Sequence, residues 1–206
     1  MITKKQLKIL NVFQRNTFRE YSYKEIKEGS REKSNSVVPS ALGTFLKEGL
    51  ITARNIGTSK LYSINQKNDK AYLYFEIFNL ENLPKQVLEA VDELKETLDK
   101  HTFFYSIILF GSYAIREQKK DSDLDMAVFI ENEKDRKTVE AVFRSVELKS
   151  IIKVHGNVIT KDEFLEMLKV DYENLGKEIA KKHLIIHNPS IFYSLLKEGI
   201  KNGFKL

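Results

Sequence analysis

Apolar and polar positions along this chain follow first a helical and then a strand period, and the switch between them organises its N-terminal third. Over residues 3–15, Leu7, Leu10 and Phe13 recur near helical spacing, and Ile9 and Val12 widen the stripe. Ser22-Tyr23-Lys24-Glu25 is a helix N-cap with an acid three residues on, so a short helix through Ile26 is expected, stopping at Gly29. A third helix is expected to start around residues 34–36 and to carry Val38, Leu42, Phe45 and Leu46 towards Gly49. Pro39 fits only its first turn. The period then falls to two. Residues 50–54 and 60–64 flank the turn-rich Asn55-Ile56-Gly57-Thr58-Ser59 and predict a β-hairpin.

Beyond the hairpin, residues 71–78 are apolar nearly all round, which predicts a helix buried either within the chain or in a homodimer interface. Pro84 marks a boundary, which divides the chain into 1–66, a connecting segment 67–84, and 85–206. Val87, Leu88, Val91, Leu94 and Leu98 give one helical stripe over residues 85–100. Residues 103–110 then form a β-branched and aromatic run, and Asp123 opens a second apolar strand, Met126-Ala127-Val128-Phe129-Ile130. A helix carrying Val139, Val142, Phe143 and Val146 follows, then a strand over 150–159. Thr160 and Glu163 form a capping box for a helix with Phe164, Leu165 and Leu168. Two further helices, 171–182 and 189–201, flank His183-Leu184-Ile185-Ile186-His187. The class is α/β (α+β), with few strands and no glycine-rich dinucleotide fingerprint.

Charge sharpens the division. Residues 1–66 carry 12 Lys/Arg and 5 Asp/Glu, a balance of +7, whereas residues 84–206 carry 20 and 21, a balance of −1. The overall +5 therefore comes from the N-terminal third; such a basic unit is either nucleic-acid-binding or plain solvated lysine-rich surface, and only a fold to go with it decides. With 206 residues, 42% of them hydrophobic, there is room for one large domain or two small ones. The absence of cysteine excludes disulfides and thiolate metal sites and fits a reducing compartment. No leader is read at the N-terminus, and no apolar stretch approaches the roughly 20 residues that span a bilayer. A cytoplasmic protein without a membrane partner is expected.

The chemistry concentrates at Leu109-Phe110-Gly111-Ser112 and Asp123-Leu124-Asp125. A Gly-Ser turn at a strand end offers backbone N–H groups to phosphate oxygens, with a helix start behind them. Residues i and i+2 of a strand share a face, so Asp123 and Asp125 converge on one cation site while Leu124 faces the core. Two hard oxygen donors suit Mg²⁺ or Mn²⁺ carrying a nucleoside triphosphate. The histidines His155, His183 and His187 do not form a metal pair on a helix, since His183 and His187 lie in the segment between two helices, which argues against zinc.

Three short helices and a hairpin resemble a winged helix-turn-helix domain. The resemblance implies duplex-DNA binding, with the third helix in the major groove and the hairpin on the backbone. It puts Arg31, Lys33, Asn35, Ser36 and Ser40 on or before the recognition helix, and Arg54 and Lys60 at the wing. Winged helices also dock proteins, so a protein partner stays open for this unit. The segment from Gly111-Ser112 through Ser122-Asp123-Leu124-Asp125 resembles the small DNA polymerase β-type nucleotidyltransferases. That likeness covers residues 85 to about 200 and implies a small mixed-sheet fold. It also implies Gly111 and Ser112 on the β- and γ-phosphates, Asp123 and Asp125 as catalytic metal ligands, and transfer of a nucleoside monophosphate from an NTP to a hydroxyl of a protein, nucleic acid or small molecule.

Two departures stand out. Many minimal members read Gly-Ser-x-Ala-Arg-Gly, where this chain has Ile115 and Arg116 at the last two places. Active members also carry a third acid on the strand after the intervening helix, and residues 150–159 contain none. Glu147, just upstream, serves only if that strand begins early; otherwise Lys153 or His155 takes the position. Lys119 and Lys120 lie within reach of phosphate or are plain surface lysines, and His155 is a candidate general base. The fold resemblance further suggests Asn174, Lys177 and Tyr193 at the nucleotide cleft. The alternative to an enzyme is a catalytically weak or inactive DNA-binding regulator, antitoxin-like in kind.

Overall fold

The computed structural model describes residues 2–102, 104–119 and 121–206. Phe103 and Lys120, expected at the first C-terminal strand and near phosphate, lie outside the described residues. The chain separates into two compact units, one ending at Phe78 and the other starting at Asn79.

In the first unit, α1 (Lys4–Leu10) begins with a reciprocal cap. Thr3 Oγ1 accepts from the Gln6 amide, and Gln6 Oε1 accepts from the Thr3 amide at 2.8 Å. The helix tightens into a 3₁₀ stretch over Asn11–Asn16 instead of running regularly to Arg15. β1 (Tyr21–Ser22) precedes α2 (Tyr23–Ser30), whose capping box is made by Ser22 and Glu25 as expected. Gly29 does not stop this helix. A Cβ there would press on the Val12 side chain, so the glycine serves packing, and Arg31 ends the helix in the left-handed region at φ 53°.

α3 (Val37–Lys47) carries Pro39 in its first turn and buries Val38, Ala41, Leu42 and Phe45. β2 (Ile51–Ile56) and β3 (Ser59–Ile64) pair antiparallel. Their turn is tighter than the five-residue tip read from the sequence, because Asn55 pairs with Lys60 and Ile56 with Ser59. β1 adds a third strand that the pattern did not predict, giving the order β1-β3-β2. α4 (Lys70–Asn82) is helical as expected but not buried all round. Ala71, Tyr72, Phe75 and Phe78 form its buried face, and Leu73 and Ile77 are 49% and 45% exposed.

In the second unit, α5 (Lys85–Leu98), β4 (Tyr105–Leu109), α6 (Gly111–Ile115), β5 (Leu124–Ile130) and α7 (Arg136–Lys149) follow in order. They are succeeded by β6 (Val154–Thr160), α8 (Lys161–Lys169), α9 (Leu175–Lys181), β7 (Leu184–His187) and α10 (Pro189–Lys201). The sheet order is β6-β5-β4-β7. β5 and β6 are parallel, joined by α7 as a crossover, and the other pairs are antiparallel. The sheet is thus mixed.

The strand period assigns each face of β5. Leu124, Met126, Val128 and Ile130 pack with Val87, Val91, Leu94 and Leu98 of α5 and with Val142, Phe143 and Val146 of α7. On the opposite face, Phe129 meets Phe164 of α8 and Phe192 of α10 edge-on, with ring centroids 4.9 and 5.3 Å away. Asp123 and Asp125 lie at the start of that second face. The strand runs from a polar mouth into an aromatic core. Arg136 ties the crossover down by donating to the Val158 carbonyl at 2.8 Å and pairing with Glu133 and Glu163.

Candidate functional site

Phe110 leaves β4 in extended conformation, and its amide donates to the Asp125 carbonyl at 3.1 Å. The chain then turns at Gly111, whose φ of 62° suits glycine. A Cβ at Gly111 would run into the Asp125 carboxylate. The turn is therefore laid directly against the carboxylate pair. α6 starts there without a side-chain cap, so its first-turn N–H groups are left for an outside acceptor. Ser112 is half-buried, and its carbonyl accepts from the Glu117 amide at 3.0 Å, which closes the loop behind the helix.

The Ser122 hydroxyl accepts from the Lys119 amide at 2.8 Å and shapes the turn that delivers Asp123. Lys119 itself is exposed. Leu124, between the two acids, is fully buried, as its place on the core face requires. Its amide donates to the Lys153 carbonyl at 2.8 Å, and Asp125 is in register with His155. That register brings two basic side chains to the carboxylates. Lys153 Nζ lies 2.9 Å from Asp123 Oδ2, while His155 Nε2 and Nδ1 lie 3.7 and 3.6 Å from Asp123 Oδ2 and Asp125 Oδ1.

The two carboxyls are pushed apart in acidity. The Lys153 hydrogen bond holds Asp123 below the usual carboxylate range despite some desolvation. Asp125 is pushed up chiefly by burial and further by the negative charge of Asp123, against the pull of His155. Asp123 is the strongly ionised member.

Glu147 does not join the pair. β6 begins at Val154 rather than early, and Glu147 stays on an exposed face of the last turn of α7. Among the described residues, no group of three or more His, Asp and Glu is arranged to hold a metal ion. Asn174, Lys177 and Tyr193 are each engaged within the scaffold. Asn174 caps α9 and holds the Met167 carbonyl, Lys177 Nζ donates to the Val170 carbonyl, and Tyr193 is buried against His183. Arg116 ends α6 in the left-handed region, and with Asn79, Leu83, Pro84, Tyr113 and Leu184 it lines a crevice of about 130 Å³.

In the first unit, Arg31, Lys33, Asn35, Ser36, Ser40, Arg54 and Lys60 are all exposed. Not all are equally available. Arg54 grips both oxygens of Glu20 at 2.5 Å, and Asn35 accepts from Lys27 Nζ at 2.5 Å. Lys60 lies over the Tyr62 ring at 5.8 Å.

A small mixed sheet with Gly-Ser on one strand end and Asp-x-Asp opening its neighbour is the frame of a nucleotidyltransferase. The chain belongs to the polymerase beta nucleotidyltransferase family, whose model matches residues 92–200. No curated protein matches the chain. No helix among the described residues is long and apolar enough to cross a membrane.

The donors present fit a divalent cation in type. Two carboxylates share one strand face, and the Lys153 side chain that holds one of them is 68% exposed on a flexible stem. What sequence reasoning narrowed to Lys153 or His155 is occupied by both. The signal was the parallel strand pairing, because side chains on the Asp125 face of β5 must have neighbours from alternate β6 positions.

Proposed function

We propose that the protein transfers a nucleoside monophosphate from an NTP to a hydroxyl acceptor with Mg²⁺ or Mn²⁺, and that its N-terminal unit is a winged helix-turn-helix that binds duplex DNA for targeting or autoregulation. The observation that carries the first part is the Gly111 turn laid against the Asp123–Asp125 pair. On this reading, the first-turn amides of α6 and the Ser112 hydroxyl receive the β- and γ-phosphates. Asp123 and Asp125 hold the cation, which supplies charge neutralisation and polarises the α-phosphorus. The acceptor oxygen forms a bond to the α-phosphorus as the bond to pyrophosphate breaks, and the hydroxyl proton passes to a base. His155, beside both carboxylates, is the nitrogen base in position.

Support for the N-terminal part comes from three helices followed by a hairpin and from the +7 balance of residues 1–66. The second reading is a regulator of antitoxin-like kind with little or no transfer activity. The observation favouring it is the Lys153–Asp123 ion pair where an acid would be useful.

Labelled NTPs, Mg²⁺ or Mn²⁺ and a cell extract decide between the two. Label on a macromolecule, absent with Asp123→Ala/Asp125→Ala, supports transfer. Neither transfer nor metal-dependent NTP binding would overturn it.

A further inference from the structure

Lys153 stands immediately before β6, pinned by its carbonyl, which accepts from the Leu124 amide at 2.8 Å. Its ammonium reaches across to Asp123 Oδ2 at 2.9 Å, and the His155 ring lies 3.7 and 3.6 Å from Asp123 Oδ2 and Asp125 Oδ1. Two cations sharing a nucleotide lie roughly 3.5–4 Å apart and need carboxylate oxygens between them. Here Asp123 Oδ2 is already paired with the Lys153 ammonium, and no further acid is gathered around it among the described residues. A second divalent ion in that position would face Lys153 at contact range, where like charges repel strongly.

Resting on the proposed function, we infer that this site takes a single divalent cation and that Lys153 replaces the second one, both at Asp123 and towards the bound triphosphate. The ammonium has a cost for the free protein, since it competes with the cation for Asp123. It has a benefit in the ternary state, since it adds a positive charge beside the phosphates. Neutralising Lys153 must therefore move the two affinities in opposite directions. A lysine in an ordinary exposed ion pair would move neither appreciably.

The test titrates Mn²⁺ into the full chain by electron paramagnetic resonance, with and without the non-hydrolysable α,β-methylene analogues of ATP and GTP. Wild type is expected to bind one Mn²⁺ per chain in both conditions. Lys153→Gln is expected to bind Mn²⁺ about tenfold more tightly and the analogue about tenfold more weakly, with Lys153→Arg close to wild type. Thermal melts of all three confirm that they fold. Two Mn²⁺ per wild-type chain with the analogue, or unchanged affinities in Lys153→Gln, overturn the inference and leave the proposed function standing. Binding of neither Mn²⁺ nor analogue to wild type overturns both.

Discussion

Gly111 and Asp125 touch across the mouth of the sheet, the glycine backbone lying where any side chain would strike the carboxylate. Gly111→Ala meets two penalties, a left-handed φ of 62° and that collision. The strained φ alone costs about 1–3 kcal/mol. The expected result is a lower unfolding temperature together with loss of metal-dependent NTP binding, read by calorimetry and by titration of the same sample. Gly43→Ala is the control, because a Cβ there meets nothing within 4 Å. It should leave nucleotide binding intact.

Asp125 and Glu147 separate the site from its rejected neighbour. Asp125→Asn keeps the shape of the half-buried side chain but removes the charge that faces the Gly111 turn. Losing such an electrostatic contact lowers transfer by at least about a hundredfold. Glu147→Gln, on an exposed face of α7, should leave both transfer and metal affinity unchanged. A fall of comparable size with Glu147→Gln would mean that the acid reaches the site after all.

What the chain disclosed in advance depended on how local each cause was. The boxes at Ser22 and Glu25 and at Thr160 and Glu163 formed as expected, because a cap is satisfied within four consecutive residues. The shared face of Asp123 and Asp125 was legible for the same reason, since it follows from the strand period alone. β1 was not legible. Two residues have no period, and their pairing to Tyr62 and Leu61 is decided by tertiary approach. Gly29 misled as a helix stop because its reason for being glycine is Val12, far away in sequence. Lys153 was only half legible. Its distance to Asp123 depends on the β5–β6 register, a pairing between strands that α7 separates in the chain.

The N-terminal unit should distinguish its basic residues by how far each is already engaged. On the proposed DNA-binding reading, Lys33→Gln and Lys60→Gln each weaken binding to random duplex and reduce the log–log salt slope by about 1. Arg54→Gln should do less, because the guanidinium is already held by both carboxylate oxygens of Glu20. Fluorescence anisotropy at several salt concentrations measures all three. Binding that ignores salt would count against phosphate contact.

His183 makes stability depend on pH, in a direction that its surroundings fix. The ring is buried, with Nδ1 2.9 Å from the Ile179 carbonyl and Nε2 3.1 Å from the Tyr193 hydroxyl. A carbonyl can only accept, so Nδ1 carries the hydrogen and Nε2 accepts from Tyr193. The imidazole is neutral. Burial among Phe192 and Tyr193 pushes its pKa down to about 4, from the 6.5 of an exposed imidazole. Above 6.5 both folded and unfolded chains carry it unprotonated, and its stabilisation is fully present. Between 6.5 and about 4 the unfolded chain takes up a proton that the folded chain refuses, so stability falls as pH falls. The loss over that window is on the order of 3 kcal/mol for this one group. His187, whose pKa burial also lowers, acts in the same direction. Urea unfolding from pH 7.5 to 4.5, wild type against His183→Gln, isolates the contribution. The variant should be less stable at pH 7.5, and the gap should narrow steadily below pH 6.5. A gap independent of pH would show that the folded chain protonates His183 as readily as the unfolded chain does.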